Sequence, residues 1–126
     1  MPQKILIVDD EAHIRMLIEQ TLEELEEEGI EFLTAENGEE ALELISEEKP
    51  QLVFLDVMMP KMNGMEVCRR VKKELGIQDV YIVLLTAKGQ EIDRLKGLEV
   101  GADVYMTKPF DPETILNKAR SVLGLA

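Results

Sequence analysis

The length, composition and charge of this chain limit what it can be. Its 126 residues suffice for one domain with a single core but not for two, so we predict one domain over residues 1–126. The formal charge of −12, from 26 acidic and 14 basic residues, argues against direct contact with nucleic acid or an anionic membrane and favours protein partners.

Cysteine content and the absence of targeting patterns indicate a reducing compartment. Cys68 is the only cysteine, which excludes an internal disulfide and a cysteine-rich metal site. No apolar stretch approaches the length of a membrane span, and the first residues lack a signal-peptide pattern. We therefore expect a soluble cytoplasmic protein without membrane insertion.

The hydrophobic pattern predicts five strands that alternate with five helices. Short apolar runs followed by amphipathic segments are typical of parallel strands that lead into helices. Five glutamates lie within residues 23–28, where their charge opposes the dipole of the first helix, so we expect that helix to fray before Gly29. The predicted strands are 4–8, 30–35, 52–56, 80–85 and 103–106, and the predicted helices are 12–28, 39–48, 65–75, 88–100 and 112–123.

The polarity of the strands predicts their order in the sheet. Apart from Lys4 and Asp56 at their ends, strands one, three and four are apolar, whereas strands two and five contain polar residues, so the former belong in the centre and the latter at the edges. Right-handed crossovers then favour the order 2-1-3-4-5 with helices on both faces. The expected fold class is α/β, a flavodoxin-like doubly wound sheet of five parallel strands.

Three acidic residues should meet where the chain direction reverses between strands one and three. Asp9 and Asp10 follow the first strand and Asp56 ends the third. Carboxylates this close repel each other by roughly 4 kcal/mol per pair at 4 Å, so a cation is expected among them. Oxygen ligands without His or Cys favour Mg²⁺ over softer metals. The alternative is that Asp9 and Asp10 only cap the first helix.

Two further strand ends add a hydroxyl and an ammonium group. Thr86 follows the fourth strand, and Lys108 follows the fifth in a Lys-Pro turn. The Lys108 ammonium is able to reach a free carboxylate or a phosphoryl group. Either residue, taken alone, is also compatible with an ordinary strand or turn position. Together with the acidic cluster they indicate a cation and phosphate site.

Four motifs in this order resemble the receiver domain of two-component response regulators over the whole chain. The motifs are Val8-Asp9-Asp10-Glu11, residues 56–64 from Asp56 to Gly64, Leu85-Thr86-Ala87 and Tyr105-Met106-Thr107-Lys108-Pro109-Phe110. The resemblance implies that Asp56 accepts a phosphoryl group from a sensor histidine kinase or phosphotransfer protein. It also implies Mg²⁺ bound by Asp9, Asp10, Asp56 and the main-chain carbonyl of Met58, with Lys108 and Thr86 holding the phosphoryl oxygens.

The same resemblance implies how the signal leaves the site. Thr86 would move toward the phosphoryl group and Tyr105 would fill the space behind it, which changes the surface of helix four, strand five and helix five for a downstream protein target. Tyr105 is alternatively a permanently half-buried residue of an edge strand. Val104 stands where several receiver domains have a second acid used in dimer salt bridges, so we expect a monomer or weak dimer.

Other functions remain open at this point. An aspartyl-nucleophile phosphatase uses similar groups, but Met58 stands where such enzymes place a general acid. A flavodoxin-like cofactor binder would need a phosphate-cradling loop after strand one, where two aspartates stand instead. His13 is the other possible phosphoacceptor, although it lies apart from Thr86 and Lys108. We expect a switch rather than a turnover enzyme, either as a single-domain regulator or as part of a longer protein, and expect Met58 to obstruct the hydrolytic water.

Overall fold

Five parallel strands form the centre of the computed structural model, which describes residues 2–59, 61–87, 99–108 and 110–125. The strands are β1 (Lys4–Val8), β2 (Glu31–Ala35), β3 (Leu52–Asp56), β4 (Tyr81–Ala87) and β5 (Val104–Lys108). Each pairs in parallel with its neighbour, in the order β2-β1-β3-β4-β5. The predicted strand order and sheet type are confirmed.

Helices cover both faces of this sheet. They are α1 (Ala12–Thr21), α2 (Gly38–Glu48), α3 (Gly64–Arg69) and a C-terminal helix (Pro112–Leu123). Side chains of the strands point alternately to the two faces, so each face has its own core. One core packs against α2 and α3 and the other against α1 and the C-terminal helix. The predicted fourth helix, residues 88–100, falls almost entirely outside the described residues.

Burial explains which strands are central. Every residue of β3 is buried, whereas every residue of β5 is only half-buried and β2 is largely exposed or half-buried. The polar content of strands two and five therefore reflects edge positions, as predicted. Among the described residues, no helix has both the length and the apolarity needed to cross a bilayer.

The first helix is shorter than predicted. α1 ends at Thr21, and the chain continues as a 3₁₀ helix, Glu23–Glu28, before Gly29 adopts a left-handed conformation at φ 84°. No basic residue of either segment lies in its last turn, and the Arg120 guanidinium of the C-terminal helix pairs with Glu24 and Glu28 of the 3₁₀ helix. The prediction of an α-helix to residue 28 was wrong: the α-helical hydrogen bonding ends at Thr21, and the glutamate-rich segment before Gly29 is a 3₁₀ helix.

The third helix and the fifth strand also differ from the prediction. α3 continues as a π-helical turn, Arg70–Glu74, in which the Lys72 ammonium is buried and donates to the main-chain oxygen of Val80 at 2.6 Å. β5 begins at Val104 because Asp103 instead bonds Ile82 through both its main chain and its carboxylate. The strand extends to Lys108, two residues beyond the predicted end.

Candidate functional site

The two strands that carry the aspartates are direct neighbours. β1 pairs with β3 so that Val8 lies opposite Leu55, which brings the following Asp9 beside Asp56. Carboxylate oxygens of Asp9, Asp10 and Asp56 lie within 4.8 Å of one another. Asp9 and Asp56 are buried, whereas Asp10 is exposed. Two carboxylates of the cluster are thus buried and the third is accessible to solvent.

Lys108 reaches this cluster from the edge strand. Its Nζ lies 2.8 Å from Oδ2 of Asp9 and 3.4 Å from Oδ1 of Asp56. The ammonium therefore crosses two strands to contact both buried carboxylates. Burial lowers the pKa of Lys108, but the hydrogen bond to Asp9 and the charges of both acids outweigh burial and raise it overall. The amine stays protonated and positive.

Asp56 is electrostatically strained in this position. Burial is the largest cause that raises the pKa of its carboxyl, and the charge of Asp9 is the second; together they bring it to about 6. Lys108 and a hydrogen bond from the main-chain N–H of Met58 act in the opposite direction without cancelling them. One ammonium therefore does not fully compensate two buried carboxylates, and further positive charge would stabilise the ionised cluster.

The donor set of the cluster fits a hard divalent cation. Three carboxylates offer oxygen ligands, and Cys68, the one cysteine, is buried in the core between the sheet and α3. His13 is 76% exposed at its side chain and lies 3.2 Å from Glu11 rather than in the cluster. Few carboxylates, with room for water and a phosphate oxygen, suit Mg²⁺ better than Ca²⁺.

Thr86 and Tyr105 lie on neighbouring strands close to the cluster. Asp56 is paired with Leu85, so the next residue, Thr86, stands at the same strand end, and it is fully buried. Tyr105 is paired with Leu84, and side chains two positions apart share a face of a strand, so Thr86 and Tyr105 face the same side. Tyr105 is half-buried against the core on that side.

The loop after β3 is held tightly against the strand end. Gly64 donates its N–H to the main-chain oxygen of Val57, and a Cβ at this glycine would lie 2.3 Å from the main-chain oxygen of Asp56. Asn63 caps α3 by accepting the N–H of Glu66. This packing fixes the part of the loop that includes Met58, whose side chain is 59% exposed.

Two contacts in the surroundings of the site were not predicted from the sequence. The Arg15 guanidinium donates to the main-chain oxygen of Asp9 at 2.5 Å and lies 3.6 Å from Glu36. Gly64 provides the close approach just described. The available signals were an arginine in an otherwise acidic first helix and a glycine at the start of the third, and neither identifies its partner without the fold.

A comparison with known protein families identifies one match. The family profile described as "Response regulator receiver domain" matches residues 5–120. Among curated proteins, the "Probable transcriptional regulator ycf27" of Porphyra purpurea is 51% identical over 124 residues, covering 98% of this chain and 49% of that protein. The "Alkaline phosphatase synthesis transcriptional regulatory protein PhoP" of Bacillus subtilis is 45% identical over 123 residues, with 98% and 49% covered.

Solved structures agree with this match. The structure titled "BeF3 Activated DrrB Receiver Domain" superposes with a TM-score of 0.85 at 36% identity and covers 98% of this chain and 99% of that one. The present chain spans about half the length of the curated relatives named above. With the sheet order, the acidic strand ends and the matched residues in agreement, the chain belongs to the response regulator receiver domain family of two-component signalling.

Proposed function

We propose that Asp56 is the phosphoacceptor of a signalling switch and receives its phosphoryl group from a sensor histidine kinase or a phosphotransfer protein. The observation that supports this most strongly is the contact of one ammonium, Lys108, with both buried acids of the cluster. An oxygen of the Asp56 carboxylate forms the new bond to phosphorus while the bond from phosphorus to the donor breaks. A carboxylate needs no general base for this attack.

The residues around Asp56 would hold the transferred phosphoryl group in place and neutralise its charge. Asp9, Asp10, Asp56 and the main-chain carbonyl of Met58 would hold Mg²⁺, whose chemistry, when bound, is neutralisation of the phosphoryl and carboxylate charge. Lys108, which contacts both Asp9 and Asp56, would supply further positive charge, and the Thr86 hydroxyl would donate to a phosphoryl oxygen. Phosphoryl transfer requires mainly such positioning and charge compensation from the protein.

The output of the switch is a change in protein contacts. We propose that the chain acts through a downstream protein target rather than by turnover of an external substrate. Its net charge of −12 disfavours direct contact of this domain with nucleic acid, whatever the longer relatives do through their remaining length. A monomer or weak dimer is proposed for the same chain.

Incubation with acetyl phosphate tests the proposed function. We expect wild-type protein to gain one phosphoryl group, detected by intact mass, in the presence of Mg²⁺ and far less in EDTA. Asp56→Asn removes the nucleophile, so it should gain none, whereas Asp79→Asn, which changes an aspartate away from the cluster, should behave like wild type. Phosphorylation that persists in Asp56→Asn would assign the phosphoacceptor elsewhere, with His13 the first residue to map.

Replacing Lys108 should slow phosphorylation strongly. Lys108→Met removes the ammonium beside Asp9 and Asp56, and loss of one such charge-stabilising group typically costs about a hundredfold in rate. The rate with acetyl phosphate and Mg²⁺ measures this. Lys118→Met, which removes an ammonium lying 5.8 Å over the ring of Tyr81, is the matched control and should leave the rate near wild type. Equal rates for the two variants would contradict the proposed role.

Phosphorylation should reduce the exposure of Tyr105 if this residue is the switch. The chain has two tyrosines and no tryptophan, so the Tyr81→Phe variant reports Tyr105 alone. We expect acrylamide quenching of Tyr105 fluorescence to fall when beryllofluoride and Mg²⁺ are added to this variant. In a double variant that also carries Asp56→Asn, the quenching should stay constant. Constant quenching in both proteins would make Tyr105 a permanently half-buried edge-strand residue.

The exposed Met58 side chain should slow hydrolysis of the phosphorylated site. Replacing this apolar group by a hydrogen-bonding amide in Met58→Asn should speed phosphate loss by roughly tenfold, because a positioned polar group orients the attacking water. Phosphate remaining on the protein is measured over time after the donor is removed. Met16→Asn changes a methionine of similar exposure on α1 and should have no effect. Equal loss from Met58→Asn and wild type would exclude the obstruction.

A further inference from the structure

The methionines of the described chain differ sharply in their surroundings. Met58 is 59% exposed and lies outside both cores, whereas the other methionines of the loop and of α3 are packed against the core that contacts α2. Core packing restricts access of an oxidant to a thioether, and oxidation of an exposed methionine removes no core contacts. The packed methionines on this face are Met59, Met62 and Met65, and Met106 packs against the opposite core.

Met58 is also coupled directly to the proposed phosphoacceptor. Met58 lies two residues after Asp56, and its main-chain N–H is one of the groups that lower the pKa of the Asp56 carboxyl. Packing of Gly64 against the main chain of Asp56 keeps the intervening loop in place. A change in the polarity of the exposed Met58 side chain therefore occurs two residues from the proposed phosphoacceptor.

We propose that the Met58 thioether is a redox-sensitive modification site whose oxidation shortens the lifetime of the phosphoryl group on Asp56. The inference rests on the proposed function of Asp56. The oxidant is hydrogen peroxide or a related peroxide, which transfers one oxygen atom to the sulfur. The O–O bond breaks and an S–O bond forms; the sulfur is oxidised by two electrons and hydrogen peroxide is reduced to water.

The direction of the effect follows from the change in polarity. The thioether is apolar and a weak hydrogen-bond acceptor, so it keeps ordered water away from the acyl phosphate. The sulfoxide oxygen is polar and accepts hydrogen bonds, which holds water beside the phosphorus. We expect phosphate loss to accelerate by roughly three- to tenfold, below the contribution of a well-positioned general base.

The first experiment measures which methionines react in the folded protein. Wild-type protein is treated with dilute hydrogen peroxide under native conditions, and the sulfoxide content of each methionine is followed by peptide mass spectrometry. We expect Met58 and Met16, which are 59% and 57% exposed, to be oxidised before the packed methionines. Oxidation of Met58 no faster than Met59 or Met62 would overturn the inference without reference to phosphorylation.

The second experiment measures the phosphate lifetime after removal of acetyl phosphate, before and after peroxide. Wild type and Met16→Leu should lose phosphate faster once oxidised, whereas Met58→Leu should lose it at the same rate before and after treatment. Methionine sulfoxide reductases should restore the original lifetime. No change in oxidised wild type that is phosphorylated on Asp56 would overturn this inference alone. Absence of any phosphate on Asp56 before treatment would overturn the proposed function and the inference with it.

Discussion

Asp56→Asn is expected to stabilise the metal-free protein by about 3 kcal/mol at pH 8. The pKa of Asp56 is raised to about 6 from an ordinary value of 3.8, by burial first and by the charge of Asp9 second. Each pH unit of this difference corresponds to about 1.36 kcal/mol. Asn fills nearly the same space without the charge, so the variant avoids the cost of a buried, incompletely compensated carboxylate.

The pH dependence of this difference has a defined sign. Because the folded protein binds the Asp56 proton more tightly than the unfolded chain, the stabilisation of wild type is fully present below pH 3.8 and is lost as pH rises through about 6. The advantage of Asp56→Asn over wild type should therefore shrink to below about 1 kcal/mol at pH 4. Urea unfolding of both proteins in EDTA at pH 4 and pH 8 measures it.

Two controls separate this effect from a general loss of negative charge. Asp10→Asn removes an exposed member of the same cluster, so it should stabilise the protein much less than Asp56→Asn. Added Mg²⁺ should stabilise wild type more than Asp56→Asn, because a cation that binds only the folded cluster shifts the unfolding equilibrium. Equal stabilities of wild type and Asp56→Asn at pH 8 in EDTA would contradict the electrostatic description of the site.

Gly64→Ala is expected to destabilise the protein by about 3 kcal/mol or more. A Cβ at this position would lie 2.3 Å from the main-chain oxygen of Asp56 and 3.1 Å from the Cα of Val57. These are backbone atoms, so no side-chain rotation relieves the overlap and the loop must move away from β3. Such a movement also displaces Met58, whose N–H bonds the Asp56 carboxylate.

Gly29→Ala is the matched control for this prediction. Gly29 has a left-handed φ of 84°, but a Cβ added there would meet no atom within 4 Å, so alanine adds only backbone strain of about 1–2 kcal/mol. Urea midpoints of both variants and wild type give the comparison. A Gly64→Ala variant no less stable than Gly29→Ala would show that the loop is not packed against the strand end as described.

The sheet and the position of the site could be predicted from the sequence because they depend on local patterns. Strands one, three and four are apolar apart from Lys4 and Asp56 at their ends, whereas strands two and five are mixed, and with right-handed crossovers this contrast predicts the order 2-1-3-4-5. The same order requires residues that follow strands one and three to be neighbours, which is why Asp9 and Asp56 were expected together. The strand order and the proximity of Asp9 and Asp56 therefore follow from expected burial and parallel pairing alone, and no side-chain contact has to be known.

The remaining details depend on contacts between distant parts of the chain. Lys108 was expected to reach a free carboxylate or a phosphoryl group. It lies closer to Asp9 than to Asp56, although Asp9 follows β1 and the strands β3 and β4 lie between β1 and β5. Asp9 is buried while the adjacent Asp10 is exposed, and the glutamate segment after Thr21 pairs with Arg120 of the distant C-terminal helix. None of these can be predicted from the composition of a single segment.

The location of a divalent ion tests the central claim most directly. Mn²⁺ replaces Mg²⁺ at oxygen sites and broadens NMR signals of nearby amides, and the chain offers an internal comparison in the acidic segment Glu23–Glu28. We predict that substoichiometric Mn²⁺ broadens the amides of Asp10, Asp56 and Met58 first, and that Asp56→Asn weakens this effect. Broadening centred on Glu23–Glu28, with the amides at the ends of β1 and β3 unaffected, would contradict the account.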